Sequence, residues 1–434
     1  MHPTDSPRQL RDCSIVASCQ SPRVPRNATE ATFLYERWRA VSAGILETAG
    51  TTFLLLIAVT HFQAGATSKA LIAAGGSFGL LLSPFVVSRV EAWGWPTAVA
   101  ASRFVAVGAV CMMAMAAVPV VPVFVLGSVL AMAAASAVIP LMTQVYQENY
   151  PEGERGRLFS KALIVRIGTA ALFSELAGRA LAADLEKNFR VLLLVFAAAF
   201  AFGSWCLSRI PSRPLVSGGG STHPLRALRF AREDRLFRLT LISWMFLGVG
   251  NLMMYPLRVE YLANPRHGLA LDVGTVALIV GVIPNAARLV MSPLWGWLFD
   301  RMNFFALRMT LNFGFAVGVF AFFMSDSLAG LALGAVIYGI SNAGGDVAWS
   351  LWVTKFAPPE RVADYMSVHT FFTGLRGVVA PMLGFWLVQT VSMQTLGAIC
   401  AGLILCSLLV LFPEVKAAPK AKEKASALVE EVSE

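Results

Sequence analysis

Charged side chains are scarce in this sequence: Asp, Glu, Lys and Arg make up only 14% of its 434 residues. Soluble globular proteins usually carry about 25% charged residues. Hydrophobic residues make up 56% of the chain, and they are gathered in long runs separated by short polar breaks. The scarcity of charge and the long apolar runs exclude an ordinary soluble domain and indicate a chain that crosses a membrane several times.

Residues for metal and disulfide chemistry are also few. The five histidines, at positions 2, 61, 223, 267 and 369, show no metal-ligand spacing. None of the six cysteines lies in a predicted outer loop, so no disulfide framework is expected. No polar segment is long enough to hold a soluble catalytic domain, and we expect neither enzymatic activity nor a cofactor.

Twelve apolar segments of about 20 residues each are predicted to cross the bilayer as helices, because that length spans a hydrocarbon core of about 30 Å. They lie near residues 40–61, 69–90, 96–118, 121–145, 159–182, 189–209, 238–262, 273–298, 306–325, 328–354, 363–390 and 392–413. A long basic loop at 210–237 separates spans 1–6 (residues 40–209) from spans 7–12 (residues 238–413). The segments 1–39 and 414–434 remain as polar tails.

The Lys and Arg residues predict the orientation. If the N-terminus is cytoplasmic, the inner segments hold 25 of the 35 basic residues and the outer loops hold five. The positive-inside rule therefore predicts that both termini are cytoplasmic, in the inner or plasma membrane of the cell. The net charge of +9 follows from this topology and does not indicate a nucleic-acid partner. The loop sequence RALRFAREDRLFR at 226–238 is expected to lie on the anionic inner leaflet, with partner binding as the alternative.

Two weak internal similarities suggest a duplicated bundle. The sequence SPFVVSRVEAWGW at 83–95 aligns with SPLWGWLFDRMNF at 292–304, and YPEGERGRLFSK at 150–161 resembles APPERVADYMS at 357–367. The two pairs follow the second and the fourth span of each six-span half. We therefore expect an all-α membrane protein made of two pseudo-symmetric six-helix bundles.

The sequence GWLFDRM after span 8 resembles a loop of the major facilitator superfamily. It carries Gly296, Leu298, Asp300 and Arg301 in the family's Gly-x-Leu-x-Asp-Arg pattern. Most of the basic tail of that loop is replaced by MNFFALR, with Arg308 as the last charge. The first copy, after span 2, has Val87 in place of the glycine and a glutamate in place of the aspartate.

The resemblance implies two bundles that alternate in opening a central cavity, lined by spans 1, 2, 4, 5, 7, 8, 10 and 11. The glycine is expected to let span 8 pack closely on a neighbour, and the Asp-Arg pair to make or release contacts between bundles. We assign gating contacts to Gly296, Asp300, Arg301, Arg103, Glu154, Arg155, Glu360 and Arg361.

Ionisable residues within these spans are functional candidates, because a charge in the bilayer core is costly unless it has a role. At about 1.5 Å per residue, Glu47 lies about 12 Å and Arg288 about 15 Å from the cytoplasmic end of its span. Arg103, on supporting span 3, is expected to pair with an acid of span 1, with Glu47 as the candidate. Arg166 is the other candidate partner of Glu47, and Glu175 and Arg179 are predicted to pair on one helix face.

Acids on both halves and arginines on both halves point to a charged cavity for a small anionic or zwitterionic substrate, because the guanidinium fork suits carboxylate or phosphate. An embedded carboxylate can also carry a coupling proton. We assign proton coupling to Glu47, Asp346 and His369. We assign substrate binding to Arg166, Arg288, Arg376, Gln144, Asn251, Asn285, Asn342, Trp349 and Tyr255.

The sequence thus predicts a gradient-driven carrier, expected as a monomer in the lipid bilayer, with the proton as coupling ion and sodium as the alternative. A drug or metabolite efflux antiporter of the same fold is the alternative function, although IGTAALFSELAG in span 5 lacks the proline of the drug-antiporter signature. A membrane-embedded enzyme or a channel is the alternative from another class, and no filter-like loop supports the channel.

Overall fold

The computed structural model describes residues 26–54, 57–58, 61–62, 64, 66–215, 224–263, 269, 271, 275, 278–355 and 357–433. Predicted tail residues 1–25 and central-loop residues 216–223 lie outside this range. The described chain is almost entirely helical. Its long helices are α1 (Arg26–Thr48, then a π-helical turn Ala49–Phe53), α2 (Ala66–Trp93), α3 (Thr97–Ala117), α4 (Val121–Ala137, continued by Ile139–Asn149), α5 (Arg155–Ala183), α6 (Leu185–Ser208), α7 (Arg235–Ala263), α8 (Ile283–Arg301, after a π-helical turn Leu278–Val282), α9 (Phe304–Phe323), α10 (Leu328–Leu351), α11 (Val362–Leu387) and α12 (Met393–Ser433).

Each apolar segment predicted from the sequence coincides with one of these helices. Eight of the described helical stretches are apolar and long enough to cross a membrane by length and composition alone.

Helix α1 begins well inside the tail predicted at 1–39, and its first turns pack on the bundle. The Thr29 hydroxyl donates a hydrogen bond to the backbone carbonyl of Asn149 at 2.7 Å. Glu36 is only 3% exposed and accepts a hydrogen bond from the Tyr146 hydroxyl at 2.8 Å. The sequence prediction began span 1 at residue 40, where the apolar pattern begins. The preceding part of α1 lacks that pattern and is held by these polar contacts instead.

The helices pack as two groups joined along matching seams. In the N-terminal half α1 packs on α5, α2 on α4 and α3 on α6; in the C-terminal half α7 packs on α12, α8 on α10 and α9 on α12. The halves meet where α2 packs on α11 and where α5 packs on α8. The second seam matches the first when one half is laid on the other, because α2 corresponds to α8 and α5 to α11.

The seam between α5 and α8 depends on glycine. A Cβ atom on Gly296 would lie 2.5 Å from the Ser160 Cβ, and one on Gly156 would lie 2.7 Å from the Gly296 carbonyl oxygen. The Ser160 hydroxyl donates to the Ser292 carbonyl at 2.6 Å. The predicted close packing around Gly296 is therefore confirmed, and the neighbour is α5 of the other half.

Candidate functional site

Four ionisable side chains form a continuous chain of ion pairs between the two halves. Arg166 on α5 approaches Glu47 on α1, with Nε and Oε2 2.9 Å apart. The other Glu47 oxygen lies 3.3 Å from NH1 of Arg288 on α8. Arg288 Nε in turn donates to Asp346 Oδ2 on α10 at 2.5 Å. The Glu47–Arg288 contact crosses from one half to the other, and the chain holds two formal charges of each sign. We call these four residues the central cluster.

Exposure differs along the central cluster. The side chains of Glu47, Arg166 and Asp346 are 26%, 34% and 22% exposed, whereas Arg288 is only 8% exposed. Arg288 also lies 3.4 Å from the amide oxygen of Asn285 one turn earlier on α8. The two carboxylates are therefore partly accessible, while Arg288 is held at the centre by three acceptors.

Irregular helix turns flank this cluster on both halves. Glu47 lies just before the π-helical turn Ala49–Phe53, and its carbonyl accepts the Thr51 hydroxyl at 2.8 Å. Arg288 follows the π-helical turn Leu278–Val282. Such turns are rare and occur frequently at functional sites, because they re-aim side chains and loosen the backbone ladder.

Of the two partners expected for Glu47, Arg166 is confirmed and Arg103 is wrong. The Arg103 guanidinium carbon instead lies 3.9 Å from the centre of the Trp95 ring. The reason is that α3 packs on α6 and α4, so Arg103 reaches an aromatic ring near its own helix. The predicted pair of Glu175 and Arg179 is confirmed by a 2.7 Å contact.

Two of the predicted substrate-binding residues, Asn251 and Tyr255, lie in a second polar group between α7 and α10. The Tyr338 hydroxyl donates to Asn251 at 2.8 Å. The Arg258 guanidinium carbon lies 4.6 Å from the Tyr255 ring and 4.4 Å from the Tyr338 ring. Arg258 is only 5% exposed. The sequence analysis did not name Arg258 as a site residue, although it lies within predicted span 7 (residues 238–262).

Other predicted residues lie within the C-terminal half, away from the central cluster. His369 is 1% exposed, and its ring lies 5.4 Å from that of Trp349. Arg376 is 5% exposed and donates to the Trp244 carbonyl and to the Thr373 hydroxyl. Asn342 is partly buried on α10, one turn before Asp346. The structure therefore does not place His369 and Arg376 beside Glu47.

Polar contacts join the halves at the end of the bundle that carries Arg155, Arg301 and Arg361, called here the basic end. Asp300 accepts hydrogen bonds from the backbone N–H groups of Gly156 and Arg157, at 2.8 and 2.9 Å. A carboxylate of α8 thereby caps the first turn of α5 in the other half, where the helix dipole favours negative charge.

Gln144 makes an equivalent bridge at the same end. Its amide donates to the Pro359 carbonyl at 2.8 Å and its oxygen accepts from the Ala363 N–H at 3.0 Å. Gln144 is 2% exposed. It therefore ties α4 to the start of α11 and lies with the contacts of the basic end rather than in the central cluster.

The remaining predicted gating residues surround these bridges. Arg155 donates to carbonyls of Tyr146, Gln147 and Tyr150 at the end of α4, each at 3.3 Å. Three others make local contacts: Glu154 pairs with Arg157 at 2.8 Å, Arg361 pairs with Asp364 at 3.1 Å, and Arg301 lies over the Trp297 ring at 4.6 Å. Glu360 is exposed.

We expect Asp300→Ala to open the basic end. Loss of a helix N-cap costs about 1 kcal/mol, which is about a five-fold change in an equilibrium between closed and open forms. In a variant whose native cysteines are replaced, maleimide labelling of Ser160→Cys at the buried seam should rise by about that factor. Asp184→Ala is the matched control, because Asp184 caps α6 within one half by accepting from the Lys187 N–H at 3.1 Å. Equal labelling with Asp300 intact and replaced would contradict the gating role.

The pentapeptide GGSFG at 75–79 has the spacing of a serine-hydrolase nucleophile turn. It lies in the middle of α2 instead of at a strand-to-helix turn. A Cβ on Gly377 of α11 would lie 2.6 Å from the Ser77 hydroxyl oxygen. Ser77 thus belongs to the packing of α2 on α11.

Comparison with known proteins agrees with this architecture. Residues 262–434 match the family model of the Major Facilitator Superfamily. No curated protein sequence matches the chain. The human organic anion transporter MFSD10 (TETRAN) has a similar fold, with a TM-score of 0.68, 14% identity and coverage of 89% of this chain and 99% of that one.

Two further solved structures share the fold. FucP in the outward conformation gives a TM-score of 0.69 at 13% identity, covering 89% of this chain and 98% of that one. The proton:xylose symporter XylE gives 0.61 at 17% identity, covering 89% and 94%. Residues 262–434 therefore match the Major Facilitator Superfamily in sequence, and the chain shares the fold of the solved transporters of that family over 89% of its length.

Proposed function

We propose that the protein is a proton-coupled carrier of a small anionic or zwitterionic solute that works by alternating access of its two halves. The observation that carries the proposal is the central cluster, in which Glu47 of one half is ion-paired with Arg288 of the other. Its partly exposed carboxylates and its nearly buried arginine are the parts that such a carrier needs.

The charge balance suggests how proton and substrate are coupled. With both carboxylates ionised the cluster is neutral, and each Glu47 oxygen faces an arginine. When Glu47 takes up a proton, the cluster gains one positive charge, and both arginines lose an anionic partner. A substrate carboxylate can then take the place of Glu47 on Arg288, where the guanidinium fork provides charge-assisted hydrogen bonds. Loss of the proton on the other side restores the ion pairs and expels the substrate.

This scheme assigns one proton to each substrate molecule. A monovalent anion would then move without net charge, and a zwitterion would move with one positive charge. Among the similar structures, one is described as a proton:xylose symporter and one as an organic anion transporter, which supports the proposal by analogy of fold alone.

The conformational part of the proposal rests on the basic end. Asp300 and Gln144 make hydrogen bonds between the halves at this end, which supports a closed basic end. By the positive-inside rule we assign the basic end to the cytoplasm, in the cell or inner membrane. The protein would then be in an outward-facing state, and opening would break these contacts and the Glu47–Arg288 pair while the other end closes.

A substrate screen tests the proposal. Purified protein is heated with a panel of small carboxylic and amino acids, each compared with its own neutral amide, and stabilisation of the folded form is scored. We expect the acids to raise the melting temperature and the amides to leave it unchanged. The best compound is then taken to proteoliposomes with an imposed proton or sodium gradient. Stabilisation by neutral or cationic compounds alone would overturn the substrate class, and accumulation driven by sodium alone would overturn proton coupling.

A further inference from the structure

Two guanidinium groups and one imidazole gather around Trp244 inside the C-terminal half. The Arg308 guanidinium carbon lies 3.2 Å from the centre of the Trp244 ring, and that of Arg376 lies 5.8 Å from it. The ring of His369 lies 5.1 Å from the same ring. Arg308 is 0%, Arg376 5% and Trp244 4% exposed. The group belongs to α7, α9 and α11, and it is distinct from the central cluster.

Its polar atoms lack acceptors. Among the described residues, none of the three Arg308 nitrogens has a hydrogen-bond partner, and the same holds for Arg376 Nε, Trp244 Nε1 and His369 Nε2. Arg376 is only partly satisfied, by the Trp244 carbonyl and the Thr373 hydroxyl. Arginine stays protonated in proteins, so the group carries two positive charges.

Burying a positive charge without a counter-charge is energetically unfavourable. The contact of Arg308 with the Trp244 ring offsets only a part of the cost of removing a guanidinium from water. Every unpartnered group here is a donor or, in the case of the imidazole, can be one as the neutral Nε2–H tautomer. A buried group of side chains with unpartnered donors, two positive charges and aromatic neighbours is complementary to an anion.

We propose that Arg308, Arg376, Trp244 and His369 form a binding site for one small inorganic anion, chloride. The N–H groups of Arg308, Arg376 and Trp244 would hold it, with the imidazole as a further neutral donor. The bound anion joins α7, α9 and α11 within one half. Transport by the central cluster does not enter this argument, so the two proposals can fail separately.

Replacement of chloride by gluconate at constant ionic strength tests the site in the purified full-length protein. We expect chloride to raise the melting temperature by about 2 °C or more, with saturation. Arg308→Met should abolish this rise. Arg103→Met should retain it, because Arg103 stacks on Trp95 in the other half and is exposed. Equal melting temperatures of the wild type in the two salts, or an unchanged rise in Arg308→Met, would overturn the proposal.

A second measurement covers the case in which Arg308→Met does not fold. Wild-type crystals grown with bromide in place of chloride should show an anomalous peak within about 4 Å of the Arg308 guanidinium, the range of a direct ion contact. A peak there supports the site. Bromide peaks elsewhere only, or no peak at all, refute it.

Discussion

Replacement of Glu47 by Gln is expected to abolish uphill, proton-driven accumulation while leaving exchange of substrate across the membrane. Glutamine keeps the size of the side chain, but it cannot release a proton near neutral pH. It also leaves Arg166 and Arg288 without the carboxylate that approaches them at 2.9 and 3.3 Å. The variant thus resembles the protonated state of the wild type, which binds substrate in the proposed scheme but cannot expel it by losing a proton.

The expected size of the effect follows from the driving force. A pH difference of two units is worth about 2.7 kcal/mol per proton, so a one-proton carrier can accumulate substrate up to about 100-fold. In proteoliposomes with that gradient the wild type should approach this ratio, and Glu47→Gln should stay near a ratio of about one. Counterflow of labelled substrate against unlabelled substrate, measured without a gradient, should persist in the variant.

The matched control is Glu175→Gln. Glu175 also lies on a helix of the N-terminal half and pairs with an arginine, but its side chain is 63% exposed and Arg179 is its partner on the same helix. We expect this variant to accumulate substrate like the wild type. If Glu47→Gln accumulates substrate as well as Glu175→Gln, Glu47 is a structural ion-pair partner and the coupling site lies elsewhere. Loss of counterflow together with accumulation would instead assign Glu47 to substrate binding.

The sequence was sufficient to predict the helical architecture, because each span is a local property. About 20 apolar residues make a membrane helix whatever surrounds them. The close approach at Gly296 was also predictable, because the resemblance of GWLFDRM to the family's loop implies a glycine that lets span 8 pack closely on a neighbour. The start of α1 was not, because Thr29 and Glu36 are held by tertiary partners on α4 instead of by an apolar pattern.

Pairing within the site was only partly predictable. Counting residues along each helix placed Glu47 and Arg288 at similar depths, so their meeting was compatible with the sequence. The pairing of Glu47 with Arg166 and Arg288, and not with Arg103, depends on the rotation of each helix and on how the halves face each other, and periodicity within one helix gives neither. Arg308 shows the same limit: as the last charge of a loop it suggests a solvated end, but α9 begins at Phe304 and the bundle encloses its first turns.

Arg288→Ala is expected to weaken binding of the anionic substrate by about 100-fold or more. Arg288 is the least exposed member of the central cluster, and it is the residue that contacts acids from both halves. Truncating one partner of a buried, hydrogen-bonded charge pair costs about 2–5 kcal/mol, and 2.7 kcal/mol corresponds to the stated factor. Binding is measured by isothermal titration calorimetry with the best compound from the acid and amide screen. Arg179→Ala, which removes an exposed arginine of α5, should leave the affinity unchanged.

A double variant separates a direct contact of Arg288 with the substrate from an indirect effect through Asp346. In Arg288→Ala the carboxylate of Asp346 loses the nitrogen that lies 2.5 Å away, and the unpaired charge could itself repel an anion. The double variant Arg288→Ala with Asp346→Asn removes that charge. If Arg288 binds the substrate, the double variant still binds it weakly; recovery to wild-type affinity would show that Arg288 acts only by neutralising Asp346.

Arg288→Lys keeps the positive charge without the two-pronged guanidinium fork, so we expect a substrate affinity between those of the wild type and Arg288→Ala. Equal affinities of Arg288→Lys and the wild type would mean that charge alone, without bidentate geometry, selects the substrate.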